Sequence, residues 1–412
     1  MHNFKYIIVF FCIFSFIFGN TVVLSATGDA VYVWSQNSSE NTVLTTSEPV
    51  KENSLSLESG SAILIEQTTG QILYEHNIHE QLRPASVTKI MSILLIMEAL
   101  DNGIISLDTP IPCSENAAKM GGSQIWLDTT ETLSVNDMLK AICVVSANDC
   151  VVAMAEYLGG SEEGFVEQMN NRAKELGMND TIFKNCHGID EDGHVTSSYD
   201  IALMSRELLQ KHPQITDYTT IYMDSLRDGK SELVNTNKLI RNYKGATGLK
   251  TGSTSLALYN LSASATRDNL SLIAVIMKAP TTKTRFSEAQ KLLDYGFNNY
   301  TCKSFGNEGE TVQEVTVNKG VEKTVNAIFK NSANVFIKKG QENNIIQNIT
   351  IDENIFAPIE KDQKIGEVTY TLDNETIANV DLIADNEVKK INFWNMTTHL
   401  YELWFNVTRN NK

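Results

Sequence analysis

Three short segments of the sequence combine residue types that could carry out nucleophilic catalysis. The first contains Ser86 and Lys89, which lie three residues apart at the start of a predicted helix and therefore share one helical face. A serine hydroxyl is a poor nucleophile until another group accepts its proton, and a lysine buried near a second cation can be neutral and accept it. No other Ser-x-x-Lys pair occurs in the chain, so this pair predicts the position of a reactive serine.

The second and third segments contain polar residues at positions that need a structural or functional explanation. Ser146-Ala147-Asn148 interrupts an otherwise apolar stretch that we predict to be helical from residue 133 to residue 158. Lys250-Thr251-Gly252 occurs once, follows Gly248 and precedes a predicted strand, and glycine there lets a ligand approach the backbone closely. Three motifs in this order, at domain-scale spacing, are far more specific than any one alone.

Together the motifs resemble those of the penicillin-recognising serine peptidases, and the chain is similar to their low-molecular-mass members, the serine-type D-alanyl-D-alanine carboxypeptidases. The likeness covers nearly the whole chain, including residues 61–77, 84–91, 121–124 and 176–188. One position departs from the family pattern: Leu258 stands where glycine is usual in Ala-Gly-Tyr. We expect a leucine there to narrow or reshape the site.

The resemblance implies a role for each motif residue. Ser86 would be the acylated nucleophile, Lys89 its general base, and Ser146 the relay that passes a proton to the leaving amine. The backbone N–H groups of Ser86 and Ser253 would form the oxyanion hole. The residues that would hold the substrate, by its peptide or by its terminal carboxylate, are Asn148, Lys250, Thr251, Gly252, Ser253 and Arg285. No metal and no organic cofactor is implied.

The implied reaction removes the terminal D-alanine from a peptidoglycan stem peptide that ends in D-Ala-D-Ala, and β-lactams would be inhibitors. The first alternative is a catalytically weak, membrane-attached wall-binding or scaffold protein of the same fold, which Leu258 keeps open. A β-lactamase is less favoured, because Glu191 lies in the region of its deacylating glutamate but no Glu-x-x-Leu-Asn is present.

Two other classes of hydrolase lack their sequence signatures. A Ser-His-Asp hydrolase is disfavoured because no Gly-x-Ser-x-Gly occurs. A zinc peptidase would need a third ligand beside His76/His79 or His187/His194, and no His-Glu-x-x-His is present. We interpret these histidines as surface or structural residues.

Composition indicates a folded protein that does not bind nucleic acid. The 412 residues include 34 Lys+Arg and 50 Asp+Glu, a formal net charge of −16, whereas phosphate binding needs a basic face. Hydrophobic residues make up 42%, which is too many for a disordered chain. At roughly 150 residues per domain, the length predicts two or three domains.

The first 26 residues are typical of a secretory signal peptide. Lys5 precedes an apolar run over residues 6–18, which is too short to span a bilayer comfortably, and small residues near 23–26 offer a cleavage site. An uncleaved anchor is the alternative. Either interpretation places the rest of the chain outside the cytoplasm, at the outer face of the bacterial cell membrane.

Changes in residue composition along the chain predict the domain boundaries. Residues 1–26 are the signal peptide and residues 27–55 a linker. Residues 56–300 would form an α/β (α+β) catalytic domain, similar by the resemblance to β-lactamases and transpeptidases, with an antiparallel sheet flanked by helices. Short β-rich runs predict a β-sandwich over 301–388.

The last segment, residues 389–412, predicts an amphipathic membrane-attachment helix. Its aromatic and aliphatic residues recur at helical spacing, two lysines precede it, and its polar stripe forbids spanning a bilayer. The alternative is that the same stripe packs on the β domain.

Overall fold

The computed structural model describes residues 55–392 and Thr397. The predicted signal peptide, nearly all of the predicted linker and most of the predicted C-terminal helix lie outside the described residues. Within the described part of the chain, no helix is long and apolar enough to cross a membrane.

Counting only residues that the structure describes, the first 300 residues contain one five-stranded sheet, two two-stranded sheets and nine α-helices. In chain order the elements are β1 (Ser61–Glu66), β2 (Ile72–His76), α1 (Lys89–Asp101), β3 (Pro110–Pro112), α2 (Glu115–Ala118), β4 (Thr132–Ser134), α3 (Val135–Val144), α4 (Asn148–Gly159), α5 (Glu162–Glu175), α6 (Ser198–Lys211), α7 (Thr216–Thr219), β5 (Met223–Leu226), β6 (Ser231–Val234), α8 (Leu239–Asn242), β7 (Ala246–Thr254), β8 (Leu258–Arg267), β9 (Leu270–Ala279) and α9 (Thr282–Asn299).

The five long strands form an antiparallel sheet in the order β2-β1-β9-β8-β7. Strands β8 and β9 are joined by the two-residue turn Asp268-Asn269, in which both residues have positive φ, as a tight hairpin with the twist of the flanking strands requires. Alternate residues of β1 and β9 face opposite sides of the sheet. One side packs in a hydrophobic cluster with α9, and on the other side Ser61 Oγ donates to Ser198 Oγ of α6. The predicted antiparallel sheet flanked by helices is therefore confirmed.

The helical region carries the predicted interruption. The stretch predicted as helix over residues 133–158 forms two helices, α3 and α4, which are separated at residues 145–147. Its first residues belong to β4 instead, where Ser134 caps α3 by accepting a hydrogen bond from Asp137 N. The break places Ser146 between two buried helices.

The C-terminal part is an all-β domain, as predicted. Its strands are β10 (Tyr300–Ser304), β11 (Thr311–Thr316), β12 (Thr324–Phe329), β13 (Asn334–Lys338), β14 (Ile346–Ile351), β15 (Lys364–Leu372) and β16 (Glu375–Ala384). Five strands form one sheet in the order β11-β12-β16-β15-β14, and β10 pairs with β13 in a second layer of only two strands. Val335 and Ile337 of β13 lie in one hydrophobic cluster with Val368 and Leu382 of the larger sheet.

Candidate active site

The side chains of Ser86 and Lys89 lie together at the start of α1. Residues 85–88 form one turn of 3-10 helix that leads directly into the helix. Lys89 Nζ lies 3.2 Å from Ser86 Oγ, 2.6 Å from Asn148 Oδ1 and 2.7 Å from the His187 carbonyl oxygen. The last two atoms can only accept hydrogen bonds, because Asn148 Nδ2 donates to the Gly121 carbonyl. They therefore accept hydrogen bonds from two N–H groups of Lys89, and the third substituent position on Lys89 Nζ faces Ser86 Oγ.

The surroundings of Lys89 favour its neutral form. The residue is completely buried, with 0% of its surface exposed. Burial, and after it the positive charge of Lys250, hold the pKa of Lys89 well below its usual value. A neutral lysine has a lone pair, and the two fixed acceptors direct that lone pair toward Ser86 Oγ. The geometry thus suits proton transfer from serine to lysine.

Lys250 is a second buried cation on the neighbouring strand. It lies in β7 opposite Ser262 of β8, and its Nζ donates to the Thr251 carbonyl over 2.9 Å. Burial is the main cause that lowers its pKa to about 7, and Arg285 adds to it. Thr251 is also buried, and its hydroxyl donates to Thr236 Oγ1 at 2.8 Å.

Ser146 is strained, buried and without a partner. Its φ is +68°, in the left-handed region that favours glycine, and only 4% of its surface is exposed. Its hydroxyl has no hydrogen-bond partner among the described residues. An unsatisfied buried hydroxyl costs about 1–3 kcal/mol, which is a reason to expect a functional partner.

Two glycines allow the serine-bearing turn to fit between its neighbours. A Cβ on Gly252 of β7 would lie 2.8 Å from Ser86 N, and a Cβ on Gly188 would lie 1.9 Å from the Ala85 carbonyl oxygen. Real side chains do not tolerate such distances. The close approach of these two backbones therefore brings the third motif and the 186–188 loop against the first motif.

Arg285 reaches the same region from α9. Its guanidinium donates to the carbonyl oxygens of Gly252 and Asn260 at 3.2 Å each. The residue is buried, and burial lowers the pKa of Arg285 to about 10. Ser253, the next residue of β7, is exposed and lies opposite Tyr259. Every residue predicted for the site therefore lies on an element of the same region. Each such element contacts the turn that carries Ser86, or contacts Lys89, Asn148 or strand β7.

Comparison with known proteins assigns the chain to a family. Residues 44–281 match the model of the D-alanyl-D-alanine carboxypeptidases, and residues 300–390 match the C-terminal domain of penicillin-binding protein 5. The chain belongs to the D-alanyl-D-alanine carboxypeptidase family. The predicted family and enzyme class are thereby confirmed, as is the two-part fold.

Several carboxypeptidase relatives span most of the chain. D-alanyl-D-alanine carboxypeptidase DacF of Bacillus subtilis is 45% identical over 347 residues, which cover 83% of this chain and 89% of the relative. The structure of penicillin-binding protein 5 from Haemophilus influenzae has a TM-score of 0.67 at 31% identity and covers 82% of this chain and all of its own. Ampicillin-bound penicillin-binding protein D2 from Listeria monocytogenes has a TM-score of 0.55 at 32% identity and covers 59% of this chain and 99% of its own.

The structure also shows site residues that the sequence motifs did not identify. The His187 carbonyl fixes Lys89, and His194 Nε2 lies 2.8 Å from Thr88 Oγ1. Both histidines are buried, and no group of three metal-ligating side chains occurs in the part of the chain that the structure describes. The His187 carbonyl and the His194 ring thus help to position Lys89 and the turn that precedes it.

Leu258, which replaces the usual glycine of the carboxypeptidases, keeps a conformation that glycine favours. Its φ is +58° at the first position of β8, where it pairs with Thr254. A non-glycine residue in this region costs about 1–2 kcal/mol. The leucine thus adds a half-buried apolar side chain to the turn after β7.

We predict that Gly188→Ala prevents acylation by a fluorescent penicillin. The added methyl would overlap the Ala85 carbonyl oxygen and displace the turn that holds Ser86. The expected loss is at least about 100-fold, since small misplacements of catalytic groups have effects of that size. The measurement is the rate of covalent labelling.

Gly177→Ala is the matched control for this substitution. Gly177 also has positive φ, at +75°, but a Cβ there would meet no atom within 4 Å. This variant carries the conformational cost of about 1 kcal/mol without the overlap, and it should label at the parent's rate. Normal labelling of Gly188→Ala would contradict the packing argument.

We predict that Lys250→Met stabilises the protein at pH 7 and that this gain shrinks as the pH rises. The pKa of Lys250 is about 7 in the folded chain and 10.5 ordinarily. Between these values the unfolded chain binds a proton that the folded chain does not, so the parent's free energy of unfolding rises with pH across this window. Methionine removes that dependence.

Urea unfolding at pH 7 and pH 10 measures the difference. We expect a gain on the order of 2 kcal/mol at pH 7, where part of the pKa effect is offset by the lost hydrogen bond to Thr251. The gain should approach zero near pH 10. Lys119→Met, at an exposed ion pair with Glu115, should follow the parent at both values. A gain for Lys250→Met that grows with pH would overturn the sign of the argument.

Proposed function

We propose that the chain is a secreted, membrane-attached serine carboxypeptidase that removes the terminal D-alanine from peptidoglycan stem pentapeptides through an acyl-enzyme on Ser86. One observation carries this proposal: the buried amine of Lys89 faces Ser86 Oγ while Asn148 Oδ1 and the His187 carbonyl fix its other two positions. This arrangement supplies a base at the only serine of the sequence that is followed by a lysine three residues later.

The reaction follows from these positions in two halves. Neutral Lys89 accepts the proton of Ser86 as Oγ bonds to the carbonyl carbon of the penultimate D-alanine. The peptide C–N bond then breaks, the leaving D-alanine nitrogen receives a proton through the Ser146 hydroxyl, and the acyl group stays on Ser86. Water afterwards attacks the ester carbonyl and gives up a proton to Lys89. The bond between the acyl carbon and Ser86 Oγ then breaks, Lys89 returns the proton to Oγ, and the shortened peptide leaves.

The same site accounts for selectivity toward a peptide substrate that ends in a carboxylate. Lys250 and Thr251 lie on β7. Arg285 contacts the same strand through its hydrogen bond to the Gly252 carbonyl. We assign to Lys250, Thr251 and Arg285 the binding of the terminal carboxylate, because charge-assisted hydrogen bonds to cations are the strong ones. The N–H groups of Ser86 and Ser253 are assigned to the oxyanion.

A β-lactam would acylate the same serine. Its leaving group stays tethered after the ring opens and would block the approach of water, so the acyl-enzyme would persist. The ampicillin-bound relative of known structure supports this part of the proposal.

Attachment to the membrane is assigned to the two ends of the chain. Residues 1–26 would direct export, and the aromatic stripe within residues 389–412 would lie in the membrane interface, preceded by Lys389 and Lys390. The β domain would then hold the catalytic domain away from the outer face of the membrane.

A second candidate is a scaffold protein with little turnover, and Leu258 is the observation that favours it. Leu258 is the first residue of β8 and pairs with Thr254, the last residue of β7. If the leucine blocks the path of the peptide, Ser86 would still react with a small β-lactam but would release no D-alanine.

We predict that the protein without residues 1–26 and 393–412 releases D-alanine from diacetyl-Lys-D-Ala-D-Ala and that Ser86→Ala abolishes release. Lys89→Met should lower the rate at least 100-fold, because it removes the general base but keeps the side-chain volume. Ser255→Ala, at an exposed position after β7, should behave as the parent. The assay measures free D-alanine.

The outcomes separate the two candidates. Penicillin acylation at Ser86 without release of D-alanine would favour the scaffold, and Leu258→Gly should then restore release. If the protein shows neither acylation nor release, the enzymatic proposal is wrong.

We predict that removal of residues 393–412 alone moves the mature protein from the membrane fraction to the soluble fraction without loss of penicillin labelling. The reason is that the aromatic face of this segment would supply most of the buried apolar area. Asn395→Ala with Asn406→Ala, on the polar face, is the control and should stay bound. Continued membrane binding after removal would instead identify the N-terminal segment as an uncleaved anchor.

A further inference from the structure

Glu162 is a partly buried carboxylate to which the proposed reaction assigns no role. It is the first residue of α5, and its side chain is 19% exposed. The next residue, Glu163, lies in the same first turn but is exposed. A carboxylate in this turn stabilises a helix through the partial positive charge at its N-terminus. That role does not require burial, so the position of Glu162 calls for a further explanation.

The contacts of Glu162 are with residues 186 and 187, which precede Gly188. Its Oε1 accepts a hydrogen bond from Cys186 N at 3.4 Å and another from Cys186 Sγ, also at 3.4 Å. His187 Nε2 lies 3.4 Å from the same oxygen. Three polar atoms of two consecutive residues therefore converge on one oxygen of the carboxylate.

His187 carries its ring hydrogen on the nitrogen that lies near Glu162. Burial is the main cause that lowers the pKa of His187 to about 3, so the ring is neutral at pH 7. Its Nδ1 accepts the N–H of Ile189 at 3.1 Å, and a neutral imidazole that accepts at Nδ1 carries its hydrogen at Nε2. Cys186 and His187 are both buried. Their donor groups would therefore lack water as a replacement if the Glu162 oxygen were withdrawn.

The same two residues contact the helix that carries Lys89. The His187 carbonyl accepts from Lys89 Nζ at 2.7 Å, and the Cys186 carbonyl accepts from Ser92 Oγ, about one turn further along α1, at 2.7 Å. The backbone of Cys186 is thus held at its N–H by α5 and at its carbonyl by α1. Because the two carbonyls belong to consecutive residues, a shift of Cys186 would move the His187 carbonyl away from Lys89.

We propose that Glu162 is a positioning residue for Lys89: its Oε1 holds residues 186 and 187 in the place from which the His187 carbonyl fixes the lysine amine. This inference rests on the proposed function, because the position of the amine matters only if Lys89 is the base at Ser86. The important property of Glu162 is the reach of its oxygen, since all three contacts are with Oε1. The negative charge is secondary.

Two conservative variants of the mature protein separate reach from charge. Glu162→Gln keeps an oxygen at the same reach and removes the charge, whereas Glu162→Asp keeps the charge and withdraws the oxygen by one methylene. We expect Glu162→Asp to lower the rate constant of acylation by a fluorescent penicillin about 10- to 100-fold, since small misplacements near catalytic groups have effects of this size. Glu162→Gln should stay within about threefold of the parent, because a neutral acceptor forms a somewhat weaker hydrogen bond.

A role limited to the N-terminus of α5 predicts the opposite order. Glu162→Asp would then match the parent, and Glu162→Gln would be the impaired variant. Glu163→Asp and Glu163→Gln, at the exposed carboxylate of the same turn, are the matched controls and should label at the parent's rate. The rate constant is measured separately from the fraction of protein labelled, because partial unfolding lowers that fraction without changing the rate constant of the folded molecules.

Removal of the lysine amine provides a readout that a purely structural role would not change. Glu162→Asp added to Lys89→Met should leave the slow residual rate constant of labelling unchanged, because two substitutions that act through the same group are not additive. A loss of tenfold or more in that background would show that Glu162 acts by another route than Lys89.

Three outcomes decide the inference. Labelling of Glu162→Asp at the parent's rate, or a loss that persists without Lys89, would overturn the inference and leave the proposed function intact. A parent that is not acylated at all would overturn the proposed function and this inference with it. Acylation without release of D-alanine, the result expected of the scaffold, would still permit every comparison, because the test measures acylation alone.

Discussion

The burial of the Lys89 side chain is the constraint on which the rest of the site depends. A buried amine must find hydrogen-bond partners, and the two fixed partners come from distant parts of the chain, Asn148 at the start of α4 and the His187 carbonyl. Both must approach closely. One requirement therefore accounts for two local features, the break between α3 and α4 and the glycine at position 188. The Lys89 amine must be shielded from water and directed toward Ser86.

The structure that meets this requirement contains strained backbone positions. The stability of the sheet offsets the free-energy cost of that strain. Ala85, Ser146, Trp126 and Leu258 all have positive φ, and such positions cost on the order of 1–3 kcal/mol each. They lie on, or at the end of, four different connections between helices and strands. Strands β1 and β9 beneath them are almost wholly buried, and burial of large aliphatic side chains stabilises by about 1.5–3 kcal/mol each. A rigid sheet thus supports strained connections.

Much of this architecture could be predicted from the sequence, and the exceptions have physical reasons. The motif residues were found because polar side chains in apolar stretches need an explanation, as at Ser146. The His187 carbonyl was not found, because every residue has a carbonyl and no side chain marks the one that is used. Strand β11 is an edge strand with mostly exposed residues, so its apolar alternation is too weak to define its bounds from the sequence. The contacts of Glu162 with residues 186 and 187 join positions that are distant in sequence.

Under the proposed function, the two buried lysines also explain how one site can contain a base and an anion-binding cation of the same residue type. Burial disfavours the charge on both amines, and the charge of Lys250 further lowers the pKa of Lys89, so the pair favours a state with a single charge. Burial of Lys89, and after it the positive charge of Lys250, favours loss of the proton from Lys89. A substrate carboxylate that reaches Lys250 would stabilise the charge there, and this charge would in turn keep Lys89 neutral. Under the proposed function, binding of the correct peptide terminus therefore reinforces the base that attacks it.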